Sequence, residues 1–153
     1  MTDVRLPIGD SIFCVRAVIL CLRDGYLLVN TEKDVDFLYL PGGAITVDEA
    51  TPGGAAREWT EETGLPAGPL RLVGVVENFF TLSGRRWHEL GFYYQMDAPA
   101  ELPRTPFTVK DNPNVTCIWL PLSEVRERHV VPLPVRDLLD VPADTVRHIV
   151  NRE

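Results

Sequence analysis

Glu58, Glu61 and Glu62 follow Arg57 within the segment Arg57-Glu58-Trp59-Thr60-Glu61-Glu62. At 100° per residue on a helix they fall at about 0°, 300° and 40°, so the three carboxylates share one face. Carboxylates held this close repel one another, and a divalent cation between them turns repulsion into attraction. An all-oxygen donor set suits Mg2+ or Mn2+. A short acid cluster is most often a solvated helix face. These acids, however, lie toward the helix C-terminus, where the macrodipole disfavours them, so helix stabilisation does not account for them.

The elements that must position these acids can be read on either side. Thr51 is the expected helix cap, Pro52 takes the first helical position, and Gly64 provides the left-handed exit, giving a helix over 52–63. Gly53 and Gly54 each cost that helix about 1 kcal/mol relative to alanine. Upstream, 12–20 and 26–29 read as strands joined at Asp24-Gly25, and 37–40 reads as a strand stopped by Pro41-Gly42-Gly43. Downstream, 70–80 and 87–96 read as a strand pair joined through 82–86, and 117–120 as a last strand. The segment 97–114, rich in proline, reads as an irregular loop. Ser123 is expected to cap a short helix to Glu127, and 135–139 to form a further helical turn.

A chain of 153 residues suits one compact domain, 1–153, and its 45% apolar content is that of an ordinary globular protein. No apolar run of membrane-spanning length occurs and Met1–Asp10 lacks a secretory layout, so a cytoplasmic protein with no membrane partner is expected. The net charge of −7 argues against nucleic acid as a partner. Cys14, Cys21 and Cys117 lie in apolar surroundings without metal-type spacing and read as reduced core thiols. An exposed sheet edge in so small a domain could pair two copies as a homodimer.

The stretch from Gly43 to Leu65, GAITVDEATPGGAAREWTEETGL, resembles the Nudix signature G-x5-E-x7-R-E-U-x-E-E-x-G-U, where U is bulky and apolar. Gly43, Glu49, Arg57, Glu58, Trp59, Glu61, Glu62, Gly64 and Leu65 occupy its nine fixed places. The resemblance implies an α/β fold, a Nudix-type α/β/α sandwich around a mixed β-sheet. It also implies hydrolysis of a diphosphate linkage with Mg2+ or Mn2+ as cofactor. Glu58, Glu62 and the Gly42 carbonyl would then ligate metal, while Glu61 either joins them or handles the proton of the attacking water. Arg57 is expected to orient Glu61 one turn away, and by resemblance to reach Glu49. Trp59, with Ala55 a turn earlier, is read as packing the helix on the sheet.

Many members of that family use a further acid outside the signature, for which Glu77, Glu89 and Asp111 are candidates; Glu89 is favoured because strand acids are less common than solvated loop acids. For substrate, Phe79, Phe80, Phe92 and Tyr93 are candidate stacking rings and Arg16, Lys33, Arg85 and Arg86 candidate phosphate contacts, of which Phe79, Arg16 and Lys33 are taken. The expected partner is a small-molecule nucleoside diphosphate derivative. The default is a nucleoside triphosphate giving monophosphate plus pyrophosphate; a nucleotide sugar or dinucleoside polyphosphate is the alternative. A noncatalytic nucleotide-sensing module of the same fold is the reading from another class, disfavoured by the unbroken glutamate set.

Overall fold

The structure, a computed structural model, describes residues 2–153. In chain order the elements are β1 (Arg5–Ile8), β2 (Ser11–Arg23), β3 (Tyr26–Glu32), β4 (Leu38–Tyr39), β5 (Gly42–Ala44), α1 (Thr51–Thr63), β6 (Arg71–Leu82), β7 (Arg85–Asp97), β8 (Phe107–Thr108), β9 (Val115–Pro121), β10 (Val130–Val131) and β11 (Arg147–Arg152). The main sheet runs β10-β4-β3-β2-β7-β6-β11, with β1 and β5 added on β2 and β9 on β3. It is mixed: β2 pairs with β7, β6 with β11 and β4 with β10 in parallel, and the remaining pairs are antiparallel. Among the described residues no helix is long and apolar enough to cross a membrane.

Alternation along β2 divides the core between the two faces of the sheet. Ala17, Ile19 and Cys21 face α1, where Ala55 and Trp59 pack on them with Leu28 and Met96. Val18 and Leu20 face the other way, toward Val73, Val76, Val135 and Leu138. That second face is closed by 3₁₀ turns at Leu122–Glu124 and Leu133–Asp137 rather than by an α-helix. The Ser123 cap is not formed, and the turn over 135–139 is displaced to Leu133–Asp137. All three cysteines are buried and unpaired.

Two tight turns set the register of the long strands. Asp24 and Gly25 both have positive φ (49° and 82°), as the two-residue hairpin between β2 and β3 requires. Ser83 and Gly84 (51° and 77°) do the same between β6 and β7, so these strands extend beyond the expected 70–80 and 87–96 and meet at a two-residue turn. β1, uniformly exposed, and β11, at the sheet edge, were not expected as strands. The irregular segment 97–114 contributes only the short β8.

Thr51 does not cap α1. Ala50 is the N-cap, without a side-chain hydrogen bond, and the Thr51 hydroxyl instead shares a 2.6 Å hydrogen bond with the Tyr94 hydroxyl, tying the helix start to β7. The expected C-cap is present: Gly64 is left-handed at φ 77° and donates its N–H to the Thr60 carbonyl at 2.8 Å. Gly54 has a structural reason, because a Cβ there would lie 2.7 Å from Ile45 and 3.0 Å from Glu49, the loop that packs on the helix. A Cβ at Gly53 would meet nothing within 4 Å, so that glycine is a plain cost in helix propensity.

Candidate active site

Arg57 organises the acids. Its Nε donates to Glu49 Oε2 at 2.8 Å and its Nη2 to Glu49 Oε1 at 3.0 Å, a bidentate pair that Thr46 N–H joins at 3.0 Å. Its Nη1 reaches Glu58 and Glu61, each at 3.1 Å, and Nη2 also meets the Ala44 carbonyl at 3.2 Å. One planar cation thus ties the loop after β5 to two of the three helix acids. The Arg57 hydrogen bonds hold the Glu49 carboxyl down at about 2, and the same contacts raise Arg57.

Glu62 lies deeper. It continues the buried stripe of Ala55 and Trp59 on α1 and is 8% exposed. Its Oε1 faces the Gly42 N–H at 3.4 Å, while Oε2 is buried with no hydrogen-bond partner among the described residues. Burial, then the charges of Glu58 and Asp111, push its carboxyl up to about 8 against the opposing Gly42 hydrogen bond and Arg16. Glu58 is raised as well, by burial first, with Glu61 and Asp111 adding and Arg57 opposing. The backbone at Gly43 lies directly against Glu58: a Cβ there would be 2.6 Å from its carboxylate carbon.

An orphaned buried carboxylate oxygen, a neighbouring carboxylate and a glycine cradle are what an oxygen-liganded divalent cation fits. Among the described residues, no three His, Cys, Asp or Glu side chains already converge on a single point. Glu58 and Glu62, with Gly42 beside them, are the residues able to hold the ion, and Glu61 and Asp111 border them.

Across the sheet from α1 a cavity of about 640 Å³ opens, its floor on β2 and β7. Arg16 joins it to the acids: its Nη1 lies 4.0 Å from Glu89 in the cavity, and its charge also acts on Glu62. Its Nε is buried without a partner among the described residues. Phe80 and Trp87 stack at 5.9 Å with ring planes 10° apart on the β6–β7 side, and Phe37, Tyr39 and His129 cluster on the β4–β10 side.

Arg57, Glu49, Glu58, Glu61, Glu62 and Gly42 are therefore brought together as the sequence implied, and Arg16 is beside them. Three expectations need correction. Glu89 is not grouped with the helix acids; the charges acting on it are those of Arg16 and Arg5, and it lies 6% exposed within the cavity. The outside acid whose charge reaches Glu58 and Glu62 is Asp111, whose neighbour Lys110 donates its N–H to the Glu62 carbonyl at 2.9 Å. Glu77 pairs with His148, away from the cavity. Phe79 points to the opposite face, its ring covered by Arg152 at 4.2 Å and His88 at 4.6 Å, while Phe80 lines the cavity. Lys33 is exposed in the turn after β3 and outside the cavity lining. Asn78 and Trp87, not singled out from sequence, line the cavity together with Phe80.

Residues 13–138 match the family profile described as NUDIX domain, and the chain belongs to the Nudix hydrolase family. Among known proteins it is 31% identical over 127 residues to a MutT-like protein of Streptomyces ambofaciens, covering 82% of this chain and 75% of that one. It is 40% identical over 70 residues to diphosphoinositol polyphosphate phosphohydrolase 2 of Rattus norvegicus. That match covers 43% of this chain and only 39% of the relative's length. The fold is that of the crystal structure of a mutator MutT protein from Bacillus halodurans, with a TM-score of 0.66 at 17% identity over 88% of this chain and 89% of that one.

Proposed function

We propose that the chain hydrolyses the diphosphate linkage of a nucleoside diphosphate derivative, by default a nucleoside triphosphate, releasing monophosphate and pyrophosphate. The observation that carries this is the buried, unpartnered carboxylate oxygen of Glu62 beside Glu58. Mg2+ or Mn2+ bound there would supply charge neutralisation on the phosphates and a more acidic water. Glu58 and Glu62 hold the ion's place. Arg57 fixes Glu58 and Glu61 in position through its 3.1 Å contacts, with Glu49 gripping its other edge. Glu61 and Asp111 are the acids available to take the proton of the attacking water. Arg16, whose charge acts on both Glu62 and Glu89, is the cation available to meet a phosphate oxygen.

The cavity supports a nucleoside over a polyphosphorylated ring. Its lining offers Arg5 and Arg16 as cations against Glu32, Glu89 and Glu153, with aromatic rings on both sides. A highly anionic inositol would require more cations than that. Cytoplasmic action, where nucleotides and Mg2+ are abundant and thiols stay reduced, belongs to the same reading.

The test is product analysis on a panel of nucleoside triphosphates, nucleotide sugars and dinucleoside polyphosphates, with Mg2+, with Mn2+ and with chelator. Chelator-sensitive formation of monophosphate plus pyrophosphate is expected. Tight metal-dependent binding without turnover of any panel member would favour a nucleotide sensor instead.

A further inference from the structure

Asn78 and Glu89 are two of the five buried polar or charged side chains among the described residues, at 5% and 6% exposure, and both line the cavity. They are direct partners across the β6–β7 ladder. Side chains so paired project from the same face with Cβ atoms about 5 Å apart. The next rung on that face is Phe80 opposite Trp87, the stacked aromatic pair. A polar rung therefore lies beside a flat aromatic one.

The hydrogen-bonding capacity of the polar rung is directional. Asn151 on β11 donates its Nδ2 to Asn78 Oδ1 at 2.7 Å, which takes one acceptor site of that carbonyl, while the Asn78 amide NH2 donates to no partner among the described residues. Glu89 receives no hydrogen bond among the described residues; its one ion-pair contact is Arg16 at 4.0 Å. Burial raises the Glu89 carboxyl, and the charges of Arg16 and Arg5 oppose that rise. A carboxylate accepts two parallel N–H bonds and an amide NH2 donates to a carbonyl. A ligand that fills the cavity and leaves these groups unmatched loses binding energy, so they select one that completes them.

We infer that the Glu89–Asn78 rung, fixed by Asn151, reads the edge of a guanine-type base in the cavity of the proposed nucleotide hydrolase. Glu89 accepts the ring N–H and the adjacent exocyclic amino group, Asn78 donates to the neighbouring carbonyl, and the base lies against Phe80 and Trp87. Among the common bases only guanine sets two adjacent N–H donors beside a carbonyl oxygen. Hypoxanthine keeps the carbonyl and one donor, and adenine loses the carbonyl. Asn151 touches no base and acts as a positioning residue.

The inference rests on the nucleotide reading of the site, and a binding measurement separates it from the hydrolysis claim. GTP, ITP and ATP are titrated calorimetrically into the wild-type protein in chelator, where turnover is not required. Binding of GTP at least about tenfold tighter than ITP, and ITP tighter than ATP, is expected. Glu89→Gln, which keeps the size but replaces an acceptor by a donor, is expected to bring the GTP-to-ITP ratio close to one. Asn151→Ala is expected to lower the GTP-to-ATP ratio, a selectivity change that a purely structural loss would not produce. Equal binding of the three nucleotides, or a preference for GTP untouched by Glu89→Gln, would overturn the inference. Guanine-selective binding in chelator with no turnover once Mg2+ or Mn2+ is supplied would leave it standing and sink the hydrolase reading alone.

Discussion

Replacing Gly43 by alanine tests the placement of Glu58 without altering any acid. An added Cβ would lie 2.6 Å from both Cδ and Oε1 of Glu58 and 2.8 Å from Oε2, where ordinary contact begins at 3.4 Å. The carboxylate must therefore retreat by 3.4 minus 2.6, about 0.8 Å. It cannot do so freely, because Arg57 Nη1 holds Glu58 Oε1 at 3.1 Å and is itself fixed by Glu49. A misplacement near 1 Å in a site built on positioning costs about a hundredfold in rate. Steady-state kinetics of the Gly43→Ala protein with Mg2+ should show a kcat/KM loss of that order, with thermal unfolding confirming that the fold persists. Gly53→Ala is the control: its Cβ meets nothing, so activity should hold while helix propensity adds up to about 1 kcal/mol of stability. Folded Gly43→Ala protein with wild-type kcat/KM would refute the cradle argument.

Further outcomes follow from the same contacts. Arg57→Lys keeps the charge but loses the fork that reaches Glu49, Glu58, Glu61 and the Ala44 carbonyl, and kcat should fall about 10- to 100-fold. Glu49 sits at about 2 in the folded chain against 4.5 ordinarily, so the stability it contributes is present above pH 4.5 and is lost as pH falls toward 2. Denaturant unfolding of wild type and Glu49→Gln should thus show a stability gap that closes over that window; a gap independent of pH would contradict the assignment. Trp59→Ala removes a side chain only 1% exposed beneath the acids and should lower unfolding free energy by about 3–5 kcal/mol in equilibrium melts.

What the sequence made legible was whatever depends on spacing along one element. The helix acids share a face because 58, 61 and 62 must, and Trp59 and Ala55 face the core for the same reason. The Asp24-Gly25 hairpin was legible because its chemistry demands positive φ. The errors came from facts that only pairing decides. Phe79 and Phe80 are adjacent yet face opposite sides, and recognising Ser83-Gly84 as a two-residue turn would have given 80 opposite 87 and 78 opposite 89. Glu89 stands out in the sequence as an unusual strand acid, but its distance from α1 across the sheet has no signature there. Asp111 approaches the acids because 97–114 folds back on the end of α1, a path that an irregular segment does not encode in periodicity. Thr51 lost its capping role to the tertiary partner Tyr94. β1 and β11 escaped notice because exposed or edge strands need no apolar alternation.

The central claim is that the buried Glu58–Glu62 pair is a divalent-cation site on which hydrolysis depends. Its most direct test is a Mn2+ titration of wild type and Glu62→Gln by calorimetry, with nucleotide turnover measured on the same samples. On that claim, wild-type turnover rises with occupancy of a saturable site and vanishes in chelator, while Glu62→Gln stays folded and loses both affinity and orders of magnitude in rate. Undiminished turnover in chelator, or Glu62→Gln with wild-type affinity and rate, would contradict it.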